Sequence, residues 1–210
     1  RPIDAADAPR PAKQGLGGRA AVHFDGRSAL SLGAPSCLDF KPGEPFSIVA
    51  VHRVEPGKSG TLVAKGGHSA GNRTFQLYVN GSRTGAIVHG THKLGPAQPA
   101  QCLAVLQCDG QRVRVTNNGQ LCFTARAGKG RSDCDVLLGA RRDGENNAEI
   151  AYPLHGDLAE LLIYRRMLGK EDLAAVVGYV NGRYGTAIST ADPTAPETIL
   201  RATASPTGDD

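Results

Sequence analysis

The segment Gly156–Gly185 reads GDLAELLIYRRMLGKEDLAAVVGYVNGRYG, and two periods meet in it. Leu158 to Tyr164 is a nearly continuous apolar run, broken only by Glu160. Such a run predicts a strand covered on both faces. The period then changes. Leu173, Val176, Val177, Val180 and Tyr184 fall at helical spacing and form one apolar stripe. Gly169 stands where an N-cap would, and Glu171 and Asp172 place negative charge in the first turn. Arg183 and Gly185 suit the other end of that helix. The same strand geometry bears on Asp157 and Glu160. Three residues apart on a regular strand, they point to opposite faces and make no acid pair.

No long helical period precedes Leu168, so the rest of the chain reads as strands. It has 210 residues, 27 of them Gly and 13 Pro, which supports many turns and a single all-β domain. That length buries a core without disulfide staples. No apolar run is long enough to cross a bilayer. Asp109-Gly110 separates Gln101–Cys108 from Gln111–Thr116, a strong hairpin signal. Asn117, Asn118 and Gly119 turn the chain into Gln120–Arg126, which completes a three-stranded meander. Arginines and valines alternate along Arg112–Val115, so one face of the meander is wet. In this register Cys102 lies opposite Thr116 or Asn117, and Cys122 opposite Val115. The five cysteines (Cys37, Cys102, Cys108, Cys122, Cys134) are odd in number and lack zinc spacing. Buried free thiols are expected rather than a disulfide framework. Residues 1–18 and 189–210 are rich in Pro, Ala, Thr and charge, and read as flexible tails around a domain at 19–188. The chain starts at Arg1 and reads as processed, or cut from something larger.

The strand GDLAELLIY, the following R-x-L, and the acidic helix ending YVNGRYG resemble the C-terminal signature of laminin-G-like, concanavalin A-like jelly-roll domains. Upstream, AVHFDGRSALSL (Ala21–Leu32) resembles the opening strand pair of that superfamily. PFSIVAVHR (Pro45–Arg53) resembles its first long core strand. Thr61–Asn80 resembles the next hairpin, and VLLGARR (Val136–Arg142) the penultimate strand. The resemblance covers Gly18 to Gly185. It implies a two-sheet antiparallel jelly-roll β-sandwich with one short C-terminal helix. It also implies a lectin-like binding module and an extracellular or cell-envelope location.

Catalytic patterns are missing from the sequence. Jelly-roll glycosidases need two carboxylates on one strand face, as in E-x-D-x-x-E, and no such run occurs. The Arg-Glu-Arg strand and Tyr/His pair of jelly-roll lyases are not intact: Arg141, Arg142 and Glu145 do not alternate correctly, and Tyr152 and His155 are neighbours only in sequence. There is no G-x-S-x-G, phosphate loop or dinucleotide fingerprint. The expectation is therefore a non-catalytic module.

Three polar loop regions carry the candidate site. The first, His68–Arg73, holds Asn72 and Arg73. The second runs from Asn80 to His92 and holds Asn80, Arg83, His89 and His92. The third, Arg141–Tyr152, holds Arg141, Arg142, Asn146 and Tyr152. Amides and guanidinium groups offer the planar paired donors that suit sugar hydroxyls and carboxylates. The chain has no Trp, and of its Tyr and Phe only Tyr78 and Tyr152 look available for a site. With a net charge of +4, this favours acidic glycans over a neutral stacking platform. Basic residues are scattered rather than clustered with aromatics, so nucleic acid is not expected. The superfamily resemblance adds a possible calcium site, for which Asp25, Asp143 and Asp157 are candidates. The expected partner is a glycan or glycoprotein. A protein-binding adhesion module is the alternative, and an unrecognised polysaccharide-active hydrolase or lyase a further one.

Overall fold

The computed structural model describes residues 8–12, 15–67, 72–97, 99, 101–143 and 149–189. Its main-chain elements are β1 (Arg10–Pro11), β2 (Val22–Asp25), β3 (Leu30–Ser31), β4 (Phe46–Val54), β5 (Gly60–Gly66), β6 (Arg73–Asn80), β7 (Arg83–Val88) and β8 (Thr91–Ala97). They continue through β9 (Gln101–Cys108), β10 (Arg112–Asn117), β11 (Gln120–Arg126), β12 (Val136–Leu138), β13 (Arg141–Asp143), β14 (Glu149–Ala151), β15 (His155–Tyr164) and α1 (Lys170–Tyr184). A seven-stranded antiparallel sheet in the order β1-β2-β15-β4-β9-β10-β11 packs on a six-stranded one in the order β3-β12-β5-β6-β7-β8. The small hairpin β13-β14 stands apart from both. This is the expected jelly-roll sandwich.

Alternation along the strands explains the packing. Phe46, Ile48 and Ala50 of β4, Leu158 of β15, and Phe75, Leu77 and Val79 of β6 point between the sheets. The rings of Phe40 and Phe46 stack there with centroids 4.5 Å apart. On the outer face of the seven-stranded sheet, Val49, Val51, Leu103 and Val105 meet Val176, Val177, Val180 and Tyr184 of α1. Both faces of β15 are thereby covered. Gly185 ends the helix at φ 65°, a left-handed conformation that glycine adopts without steric cost. The Asp172 carboxylate closes the other end by accepting the Gly169 N–H at 3.0 Å. No helix among the described residues is long and apolar enough to cross a membrane.

Three expectations change. A β-bulge between Leu158 and Glu160 inserts Ala159 into β15. Asp157 lies opposite Arg53 and Glu160 opposite Val51, so both carboxylates reach the same outer face. They still make no pair. Asp157 is bound by His23 and Arg53, while Glu160 accepts hydrogen bonds from Tyr179 and Tyr184 of the helix. Second, the meander register differs: the first hairpin is shifted by two residues, and the second by one at a β-bulge between Val115 and Thr116. Val113 lies opposite Cys108, and Phe123, not Cys122, lies opposite Val115. A two-residue slip preserves faces, so Val113 and Val115 still enter the core. Third, part of the N-terminal stretch is built into the fold. Arg10–Pro11 pairs with β2, and Leu16, 1% exposed, packs with the helix. Residues 190–210 lie outside the described residues. Of the cysteines with described side chains, Cys108 is a buried free thiol, Cys122 and Cys134 are half-buried, and Cys37 is exposed.

Candidate functional site

A basic surface bearing two tyrosines lies on the outer face of the six-stranded sheet. In β6, Phe75, Leu77 and Val79 take the inward positions, which turns Gln76 and Tyr78 outward. Tyr78 lies opposite Gly85 of β7 and Thr61 of β5. Its ring lies across Gly85, where a β-carbon would stand 2.2 Å from the ring. The glycine is what lets the ring lie flat on the sheet. His92 of β8, opposite Ile87, shares a hydrogen bond with the Tyr78 hydroxyl. Gln76 donates to Thr61 Oγ1 at 2.9 Å and completes the floor.

The β13-β14 hairpin supplies the wall. The Thr61 N–H donates to the Tyr152 carbonyl at 2.9 Å, which ties the end of the hairpin to β5. Tyr152 sits at φ 53°, unusual for a residue with a side chain, and is 53% exposed. Such outliers persist only where the surroundings impose them, and they concentrate at functional sites. The Arg141 guanidinium packs over the Tyr152 ring at 4.4 Å from its centroid, and its Nη2 pairs with Asp143 at 2.8 Å. Arg141 Nε is buried with no hydrogen-bond partner among the described residues. Arg73 donates from Nε to the Gly67 carbonyl at 2.8 Å, and Arg83 to the Gly95 carbonyl at 2.7 Å.

The electrostatics of this surface are those of crowded cations. Burial, and after it the repulsion of Arg141, lowers the Arg73 pKa. Burial first, then Arg73 and Lys93, lowers that of His92. Burial pushes the Tyr78 hydroxyl up to about 12, so it keeps its proton as a donor. An incoming anion would relieve the cation repulsion that adds to burial in the Arg73 and His92 shifts.

Arg73, Arg83, His92, Arg141 and Tyr152 thus gather on one surface around Tyr78. Others fall elsewhere. His89 is a correction: it forms the tight His89-Gly90 turn, but its ring is buried edge-on against Phe46. Its Nδ1 donates to the Gly130 carbonyl at 2.6 Å. Arg142 turns away from Arg141 and grips Asp135 with two bonds of 2.8 and 2.9 Å. Asn80, at the β6–β7 turn, accepts a bond from the Ser59 hydroxyl at 3.2 Å. Asn72 adjoins Arg73 and bonds through its carbonyl to the Gly67 N–H. His68 and Asn146 lie outside the described residues. Gln76 and Thr61 were not anticipated. Their signal was the alternation of β6, which turns Gln76 and Tyr78 to the face away from Phe75 and Leu77, where both are largely covered by their neighbours.

The three aspartates considered for calcium do not converge. Asp143 pairs with Arg141, and Asp157 with His23 and Arg53 on the opposite side of the sandwich. Asp25 Oδ1 accepts bonds from the Arg27 N–H, the Ser28 N–H and the Ser28 hydroxyl. Among the described residues no three His, Cys, Asp or Glu side chains form a metal-binding group. These residues do not fit a calcium ion, because the three do not meet, and both Asp157 oxygens, Asp25 Oδ1 and Asp143 Oδ2 already accept bonds from protein donors.

No protein-family model matches the sequence, and no curated protein matches it. Solved structures do. The CBM40 module of Ruminococcus gnavus IT-sialidase, in a complex with α2,3-sialyllactose, is 19% identical, with 74% of this chain and 95% of that chain covered at a TM-score of 0.54. The chain has the jelly-roll fold of that module. It also matches part of larger enzymes. NanB sialidase from Streptococcus pneumoniae is 14% identical over 73% of this chain and 26% of that chain, at a TM-score of 0.55. The leech intramolecular trans-sialidase is 18% identical over 71% and 27%, at 0.51. At these identities the likeness concerns the fold. In both enzymes the matched region is about a quarter of the chain.

Proposed function

We propose that the chain is a non-catalytic carbohydrate-binding module that holds an acidic glycan, free or on a glycoprotein, against the outer face of the six-stranded sheet. The observation that carries this reading is the cluster of Arg73, Arg83 and Arg141 around Tyr78 and Tyr152. Arg141 is central, because its buried Nε lacks a partner among the described residues. A sugar carboxylate accepts paired guanidinium N–H donors in a fixed plane, which gives both strength and orientation. The exposed Tyr152 ring offers a flat apolar surface for the C–H face of the sugar. The exposed His92 imidazole, held by the Tyr78 hydroxyl, supplies a hydroxyl partner on the floor. The sialyllactose complex of the R. gnavus module supports the choice of a sialylated ligand. A place outside the cell, in a secreted or envelope-bound protein, follows from that ligand.

The test is isothermal titration of the full chain with 3′-sialyllactose and with lactose. The expected result is binding of sialyllactose alone. Arg141→Ala should weaken it on the order of 10- to 100-fold, the worth of a charge-assisted hydrogen bond. Equal affinity for lactose, or no effect of the substitution, would remove the carboxylate from the account.

A further inference from the structure

A second cleft lies on the other side of the sandwich, beyond the part of the seven-stranded sheet that α1 covers. Its volume is about 830 Å³, within the range of small-molecule sites. Its floor is one row of outward residues set by strand register. Arg10 of β1 lies opposite His23 of β2, His23 opposite Asp157 of β15, and Asp157 opposite Arg53 of β4. Asp157 is the centre of the row. It is 3% exposed, yet it sits at an outward position with no helix above it. His23 donates from Nδ1 to its Oδ1 at 2.8 Å, and Arg53 donates from Nε to its Oδ2 at 2.9 Å and from Nη2 as well. The two donors keep more than a third of their own side-chain surface in the open cleft. The carboxylate therefore acts as a clamp that fixes an imidazole and a guanidinium, face to the cleft, on two neighbouring strands.

We infer that this cleft is a second glycan site, distinct in chemistry from the first, which takes an uncharged sugar. Three features decide the class. The row sets guanidinium donors at its two ends and an imidazole and a carboxylate between them, at the spacing of adjacent strands, about 4.8 Å. That array suits hydroxyls, each of which donates one hydrogen bond and accepts two. The ionised side chains of the lining are Arg10 and Arg53 against Asp25, Glu55 and Asp157, so a ligand anion gains no net attraction. The arginines equally disfavour a metal cation. Pro11 and Pro56 add apolar wall for the C–H face of a sugar ring. Holding an acidic sugar on one sheet and a neutral one on the other lets a single module engage two parts of one glycan, or two glycans, with the gain that linked sites bring.

The experiment is a proton–nitrogen NMR titration of the full chain with maltotriose, cellotriose and laminaritriose at millimolar concentration. At least one sugar should shift the signals of Arg10, His23, Arg53 and Asp157. Arg53→Gln and His23→Gln should each weaken that binding about tenfold, one hydrogen bond's worth. Arg10→Ala, on an exposed two-residue edge strand, repeats the test with little risk to folding. Arg141→Ala should leave it unchanged. No shift with any of the three sugars, shifts confined to the Arg141 surface, or binding indifferent to all three cleft substitutions would overturn the inference. None of these results bears on sialyllactose binding at the other face.

Discussion

Replacing Gly85 by alanine tests the floor of the acidic-sugar site without touching a charge. The new β-carbon would stand 2.2 Å from Tyr78 Cζ, 2.3 Å from its hydroxyl oxygen and 2.6 Å from Cε1. Non-bonded carbons rest at about 3.5–4.0 Å, so the far end of the ring must move by more than about 1 Å. The hydrogen bond to His92 cannot survive that movement. Losing it costs the fold about 1 kcal/mol, and the crowding about 1–3 kcal/mol more. Reduced freedom of the unfolded chain returns about 0.4–1 kcal/mol. The net loss of about 1–3 kcal/mol is affordable for a domain stable by about 5–15 kcal/mol. Binding should suffer more visibly, because the displaced ring occupies the sugar's floor. Titration with 3′-sialyllactose, beside a thermal melt, should show affinity down about tenfold or more in a protein that still unfolds cooperatively. Tyr78→Phe, which removes only the hydroxyl, should share part of the loss with little change in the melt. A folded Gly85→Ala protein that binds as tightly as the parent would refute the placement of the sugar over Tyr78.

Two further predictions concern the scaffold. His52 is fully buried between the sheets with neither ring nitrogen partnered among the described residues, and burial lowers its pKa from 6.5 to about 4. The folded state therefore binds its proton less readily than the unfolded one. Its contribution to stability is complete above pH 6.5 and falls as pH drops from 6.5 toward 4, by on the order of 3 kcal/mol. Denaturant unfolding across that window should show the loss, and His52→Leu should flatten it; an identical acid limb in the variant would contradict the assignment. In thiol labelling, exposed Cys37 should react before Cys108, which is buried with its pKa raised, and before Cys122, pushed by burial up to about 11. Faster labelling of Cys108 than of Cys37 in the native protein would contradict the packing.

Much of the fold could be read from local patterns. The Val176–Val180 stripe announced a helix with one buried face, and the apolar run ending at Tyr164 announced a strand covered twice. What escaped was set by tertiary geometry. The bulge at Ala159 has no sequence signal of its own, yet it brings Asp157 and Glu160 to one face. Leu16 looked like part of a tail because a single apolar residue among glycines has no period; it is buried only because the helix stands over it. At the site, Arg141 and Tyr152 were visible as polar-loop candidates, but their stacking needs the hairpin to close. His89 had the same polar-turn signature as His92. The turn points one imidazole at Phe46 and leaves the other on the surface beside Tyr78, a distinction that only the register of β7 and β8 supplies.

The measurement that tests the central claim most directly is the map of backbone NMR shifts caused by 3′-sialyllactose on the full chain. The account predicts changes centred on Arg73, Tyr78, His92, Arg141 and Tyr152, with Arg142 and His89 little affected. Changes centred on the Asp157 cleft, or none at saturating sugar, would contradict it.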